Sequence, residues 1–113
     1  MHWKAKALEH AKTEDPKESV GLLLNIKGKN VYYPCHNLST YSQQCFILDP
    51  EDYVKADALG QIVSVIHSHP TTPAIASEAD KVSCEAGGLP WYIVNPKNEE
   101  WGYYEPTGYR PAL

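Results

Sequence analysis

Two histidines separated by one residue, His67-Ser68-His69, stand at the end of the apolar run Gln61 to Ile66. Side chains two apart on a strand share a face, with Cα atoms about 7 Å apart, so both imidazoles can reach one metal ion. Eleven residues after His69 comes Asp80, in the first turn of a helix that Ser77 would open. A strand-loop-helix connection can fold that turn back over the strand end. Two imidazoles and one carboxylate fill three corners of a tetrahedral Zn²⁺ and leave the fourth for water, which is a catalytic rather than a structural arrangement. Such a centre also needs a proton acceptor, and Glu18, at the entrance to the first strand, is the candidate. Each residue also has a plainer reading: histidines at a strand end are commonly solvated, Ser77-Glu78-Ala79-Asp80 is a capping-box variant, and Glu18 sits in a charged stretch with Lys12, Glu14, Asp15 and Lys17. Cys84, one helical turn beyond Asp80, is not expected to ligate, because a thiolate would close the open position.

The elements that must position these residues follow from periodicity and punctuation. Trp3, Ala7, Leu8 and Ala11 recur at near-helical intervals, which predicts a helix from about His2 to Lys12 that stops before Pro16. Ser19 to Ile26 and Val31 to Tyr33 read as a hairpin turning at Lys27-Gly28-Lys29-Asn30. Cys45 to Leu48 reads as a further short strand. Asp49-Pro50-Glu51-Asp52 has the form of an N-cap, a first-position proline and first-turn acids, so a helix runs to about Leu59 and ends at Gly60. Gln61 to Ile66 is a β-branched run suited to a central strand covered on both faces. A second capped helix is expected from Ser77 to Ala86, closed by Gly87-Gly88, and two strands from Pro90 to Val94 and from Glu100 to Tyr104. The expected fold class is α+β, a mixed sheet with helices packed on it.

Composition narrows the function classes. A chain of 113 residues with 42% hydrophobic and 21% charged residues is expected to form a single domain, 1–113, with an N-terminal helix over 1–15 and an irregular tail over 106–113. Its net charge of -4, with scattered lysines, offers no basic stripe for a phosphate backbone, so no nucleic-acid partner is expected. No run approaches the ~20 apolar residues of a membrane span, and no signal peptide is recognised at the N-terminus. Three cysteines without Cys-x-x-Cys spacing indicate neither a disulfide framework nor a zinc knuckle. They are expected to be reduced. His2, His10 and His36 are taken as surface or packing residues.

Glu18, then His67-Ser68-His69-Pro70, then Ser77-Glu78-Ala79-Asp80 resembles the signature of the JAMM (MPN+) zinc metalloproteases: Glu, His-x-His, seven residues, Ser, two residues, Asp. Gly21-Leu22, Asn37 and Phe46-Ile47-Leu48-Asp49-Pro50 are similar to further pieces of that family, so the likeness runs from about Glu9 to Tyr104. One departure is Ala76, where relatives often carry proline, which touches loop rigidity alone. The resemblance implies a cytidine-deaminase-like fold with a curved mixed sheet flanked by helices. It implies one Zn²⁺ held by His67, His69 and Asp80, Glu18 as the general base, and Ser77 as hydrogen-bond donor to the oxyanion. The implied reaction is hydrolysis of a peptide or isopeptide bond.

Within the family, Val82-Ser83-Cys84-Glu85, Gly88-Leu89-Pro90-Trp91 and Tyr104-Glu105-Pro106-Thr107-Gly108-Tyr109 look like the N-terminal domain of lambda-type phage tail tip assembly proteins. Those proteins continue into an NlpC-type cysteine peptidase domain, which would follow the 106–113 tail. The likeness implies a phage or prophage tail role, with a peptidoglycan stem peptide or a tail component as substrate and other tail tip proteins as partners. It implies residence in the bacterial cytoplasm during assembly and in the virion tail tip afterwards. A non-catalytic tail module with a vestigial metal site is the alternative, and a cysteine hydrolase using Cys35 or Cys84 is a third reading without local support.

Overall fold

The strand that carries the histidines, Gln61–Ser68, lies at the centre of a five-stranded mixed sheet. The computed structural model describes residues 2–111. In chain order the elements are α1 (Trp3–Glu14), β1 (Val20–Ile26), β2 (Lys29–Cys35), α2 (Pro50–Leu59), β3 (Gln61–Ser68), α3 (Glu78–Gly87), β4 (Trp91–Val94) and β5 (Trp101–Tyr104). The strands are ordered β2-β1-β3-β4-β5. β1 pairs antiparallel with both β2 and β3, β3 pairs parallel with β4, and β4 pairs antiparallel with β5. The α+β expectation therefore holds, with β3 central and its His67 end running a residue or two past the predicted Ile66.

Alternation along β1 sends two sets of side chains to opposite faces. Leu23 packs with Trp3, Ala7, Tyr32 and Ile66 under α1, while Val20, Leu22 and Leu24 pack with Cys35 and Ala56 under α2. Gly21 is required here because a Cβ at this position would run into the Tyr32 ring. The β1–β2 hairpin turns on Lys27 and Gly28, both at positive φ, as the two central residues of a primed two-residue turn must be. That pairing lets β2 start at Lys29, earlier than the predicted Val31.

One predicted strand is corrected. Cys45 to Leu48 forms no ladder, and its sheet-like contact is a single bridge between Asn37 and Leu48. Its backbone donors go elsewhere: the Cys45 N–H donates to the Tyr41 carbonyl, and the Ile47 N–H to the Asn37 carboxamide oxygen at 3.0 Å. The segment instead sets Phe46 and Leu48 against the α2 face of the sheet.

Helix ends follow the predicted punctuation. Asp49 caps α2 by accepting from the Glu51 N–H at 2.9 Å, and Gly88 closes α3 in the left-handed region. No helix among the described residues is long and apolar enough to cross a membrane.

Candidate metal centre

Register brings the candidate residues together. Val20 lies opposite His67 across the β1–β3 ladder, and the Ser68 N–H donates to the Ser19 carbonyl at 3.1 Å. Two places further along the same antiparallel count, Glu18 comes opposite His69. Same-face alternation then puts Glu18, His67 and His69 on the α2 side of the sheet. A buried second contact locks this register: the Ser19 N–H donates to Ser68 Oγ at 2.7 Å. Ser68, the residue between the histidines, is fully buried. Sequence reasoning passed over it, and its only signal was a polar residue on the inward side of an apolar strand.

The two imidazoles meet with Nε2 atoms 3.2 Å apart. Asp80, third residue of α3, reaches them with Oδ1 3.4 Å from His67 Nε2 and Oδ2 3.0 Å from His69 Nε2. A tetrahedral zinc with bonds of about 2.0–2.1 Å sets its ligand atoms about 3.3–3.4 Å apart, close to these three separations. Asp80 is held there by the capping box: Ser77 Oγ accepts from the Asp80 N–H, and Asp80 Oδ2 accepts from the Ser77 N–H, each at 3.0 Å. The cap and the ligand readings of this motif are thus one arrangement.

Proton placement tests whether a cation fits. The His69 Nδ1–H donates to the Pro73 carbonyl at 2.8 Å, so a neutral His69 turns its Nε2 lone pair toward a carboxylate. Lone pairs of two imidazoles and a carboxylate then converge, which is repulsive unless a cation or protons lie among them. A ring nitrogen held by a backbone carbonyl is also how a metal-binding histidine is oriented. His67 Nδ1 is buried and has no hydrogen-bond partner among the described residues, with Phe46 and Trp91 packed against the ring at 4.8 and 5.1 Å. The donor set and its geometry suit Zn²⁺.

Without an ion, a proton on a ring Nε2 takes that place as a hydrogen bond to Asp80. Burial pushes the His67 pKa down and keeps it neutral, against the pull of Asp80. His69 is also desolvated, but its hydrogen bonds to Asp80 and Pro73 raise it overall. Burial alone would raise Asp80, yet hydrogen bonds from His67, His69 and the Ser77 N–H hold it well below the usual carboxylate range. Glu18 is 7% exposed. Burial lifts its carboxyl to about 7, opposed by the attraction of His69 and aided by the repulsion of Asp80, so its charge faces the same cluster.

The surroundings fix the site from several elements. The Asn37 carboxamide donates to the Glu18 carbonyl at 3.0 Å and to the Cys45 carbonyl at 3.1 Å, and it accepts from the Ser39 and Ile47 N–H groups, each at 3.0 Å. The loop after His69, which ends at Ala76 rather than proline, is tied down in its first half: Lys97 donates to the Pro70 carbonyl at 2.6 Å, and Asn95 to the Thr72 carbonyl at 2.9 Å.

Two other groupings are accounted for differently. His36, Asp49 and Asp52 also bring ligand atoms together, but Asp49 caps α2 and Asp52 Oδ2 accepts from the His36 N–H at 2.7 Å and pairs with its ring at 2.9 Å. The Cys84 thiol donates toward the Leu89 carbonyl at 3.2 Å, not toward Asp80. Burial pushes Cys84 to about 11 and Cys35 to about 12. Both are protonated thiols at neutral pH, which removes the nucleophile that a cysteine hydrolase needs. Cys45 is exposed and all three are free.

Comparison with known proteins matches residues 2–105 to the family described as prokaryotic homologs of the JAB domain. The chain is 38% identical over 106 residues to the tail tip assembly protein K of Escherichia phage N15, covering 94% of this chain and 44% of that protein. It therefore spans less than half the length of this curated relative. A protein from Desulfitobacterium hafniense, known from its solution structure, superposes with a TM-score of 0.69 at 24% identity, over 92% of this chain and 86% of its own. A JAB1/MPN domain protein from Archaeoglobus fulgidus gives a TM-score of 0.60 at 22% identity, over 97% and 88%. A structure described as JAMM, a metalloprotease-like zinc site in the proteasome and signalosome, gives 0.58 at 24% identity, over 97% and 87%. With its sheet, its His-x-His strand and the matched span in agreement, this chain belongs to the prokaryotic JAB-domain family and has the JAMM/MPN fold.

Proposed function

We propose that the chain is a zinc-dependent hydrolase of peptide or isopeptide bonds that works in a phage or prophage tail. The observation that carries this reading is the convergence of His67 Nε2, His69 Nε2 and the Asp80 carboxylate within 3.0–3.4 Å of one another, with buried Glu18 across the ladder. His67, His69 and Asp80 would hold Zn²⁺. Zinc, when bound, supplies a Lewis acid that makes water ionise near pH 7. Glu18 accepts the proton of the attacking water and delivers it to the leaving amine, a task suited to a carboxyl lifted toward neutrality. Ser77 Oγ already accepts from the Asp80 N–H, so its own proton is free to meet the developing oxyanion, a contact worth roughly 10²–10³ in turnover in other hydrolases. Likeness to a tail tip assembly protein supports other tail tip proteins as partners, the assembling tail as location, and either a peptidoglycan stem peptide or a tail component as substrate.

Metal analysis of the purified protein beside its His69→Ala variant tests the centre: one zinc per chain is expected in the parent and loss of it in the variant. A Glu18→Gln protein that keeps zinc is expected to lose cleavage by roughly 10²–10⁴-fold. Undiminished cleavage would remove Glu18 as the base. Bound zinc without cleavage of either substrate class would instead make the chain a structural tail module.

A further inference from the structure

An apolar cleft of about 510 Å³ opens between α2 and α3 on the face that carries His67. Its floor includes Val65, two residues before His67 on β3 and hence on the same face, about 7 Å away along the strand. Phe46 and Trp91 line the cleft and also pack on the His67 ring, so cleft and candidate centre share two walls. Leu48, Val54 and Leu89 supply further apolar lining, and no charged side chain is among the lining residues. Val54 is 67% exposed on the rim. The volume falls in the range of small-ligand sites, with room for one large side chain and part of the segment that carries it.

We infer that this cleft receives a bulky aliphatic or aromatic side chain of a protein substrate, next to the bond held at the centre. The inference rests on the hydrolase reading above and decides between its two substrate classes. A stem peptide offers mainly methyl groups and free carboxylates. It would bring carboxylates to a mostly apolar lining that holds no cationic side chain. A protein segment with leucine, isoleucine or phenylalanine at one position covers this apolar lining and brings no charge to it. The occupant is therefore a polypeptide, chosen by one large apolar residue.

Two measurements on the zinc-loaded full chain test this. In the first, cleavage sites are sequenced in a peptide library made by digesting a bacterial proteome, with purified muropeptides assayed in parallel. Enrichment of bulky apolar residues at one position is expected, with a roughly 10–200-fold preference over alanine in kcat/KM and muropeptides left intact. Val54→Asp and Ser83→Trp, both at exposed helix positions, are expected to raise KM while zinc content stays at parent level. The second measurement does not need catalysis: the Trp91 indole resonance is followed by NMR as N-acetyl-leucine methylamide or N-acetyl-aspartate methylamide is added. A shift with the leucine probe alone supports the cleft, even if no peptide is cut, and in that case the hydrolase reading fails by itself. Cleavage without apolar preference, preferred cleavage of muropeptides, or no leucine-specific shift would overturn the inference, the first two of them leaving the hydrolase reading in place.

Discussion

Gly102→Ala is the substitution that most directly tests how the site is held. Gly102 lies on β5, opposite Ile93, and its missing side chain makes room for the loop that follows His69. A Cβ built there would overlap the Ala74 carbonyl oxygen and come within 2.9 Å of the carbonyl carbon, closer than real Cβ contacts allow. Both atoms are backbone, and Ala74 is buried, so no flexible tip can swing aside. The peptide unit before Ala74 carries the Pro73 carbonyl that accepts from His69 Nδ1. Pushing Ala74 away therefore loosens the hydrogen bond that orients the ring. Overpacking of this kind costs about 1–3 kcal/mol. At about 2 cal/mol/K per residue, a chain of this length loses roughly 4 °C per kcal/mol, so a Tm drop of roughly 4–13 °C is expected. Displacement on the order of 1 Å at the ring costs about 10²-fold in turnover. Thermal unfolding and zinc titration of Gly102→Ala should be compared with Gly87→Ala, where a Cβ meets nothing within 4 Å. Parent-like Tm and zinc affinity in Gly102→Ala would refute the anchoring role of the loop.

Other substitutions probe the remaining supports. Ser68→Ala strands the buried Ser19 N–H and is expected to cost about 1–3 kcal/mol in denaturant unfolding, with activity falling further than zinc affinity because Glu18, not the ligands, is released. Asn37→Asp keeps both acceptor contacts but loses the donors to the Glu18 and Cys45 carbonyls, and a similar loss of stability is expected by the same measurement. The Glu18 carboxyl titrates at about 7 in the folded chain and at its ordinary value of 4.5 unfolded, so the native state binds the proton more tightly. Stability from this group is therefore full below about pH 4.5 and falls as pH rises to about 7. In EDTA, Glu18→Gln should match the parent near pH 4.5 and exceed it in Tm at pH 8. A parent as stable as the variant at pH 8 would contradict the shift. Zinc added at a thousand-fold excess over its Kd should stabilise the parent by about 4 kcal/mol and leave His69→Ala unchanged in calorimetry.

What was legible in the chain depended on sequence distance. The His-x-His pair could be read because strand alternation alone puts both rings on one face, and Asp80 because cap chemistry fixes its place in the first turn. The helices could be read for the same reason, since Asp49-Pro50 and Ser77 announce their ends locally. Glu18 is different: nothing near it in the chain distinguishes it from a solvated acid. It reaches the site because Val20 and His67, 47 residues apart, are partners in the ladder, and register of that kind is set by long-range packing. Only family resemblance signalled it beforehand. Ser68, Asn37 and Gly102 act wholly through such partners, on Ser19, on the Glu18 and Cys45 carbonyls, and on Ala74. Asn37 also explains the strand that failed to form. Its carboxamide takes up the Ile47 N–H that a ladder would have used, so an apolar run of β-like composition is folded down as a wall of the His67 pocket instead. In this chain the candidate ligands are local in sequence, whereas the groups that aim them are distant, and mutations that alter the aim without touching a candidate ligand are the ones that would separate metal binding from the proposed catalysis.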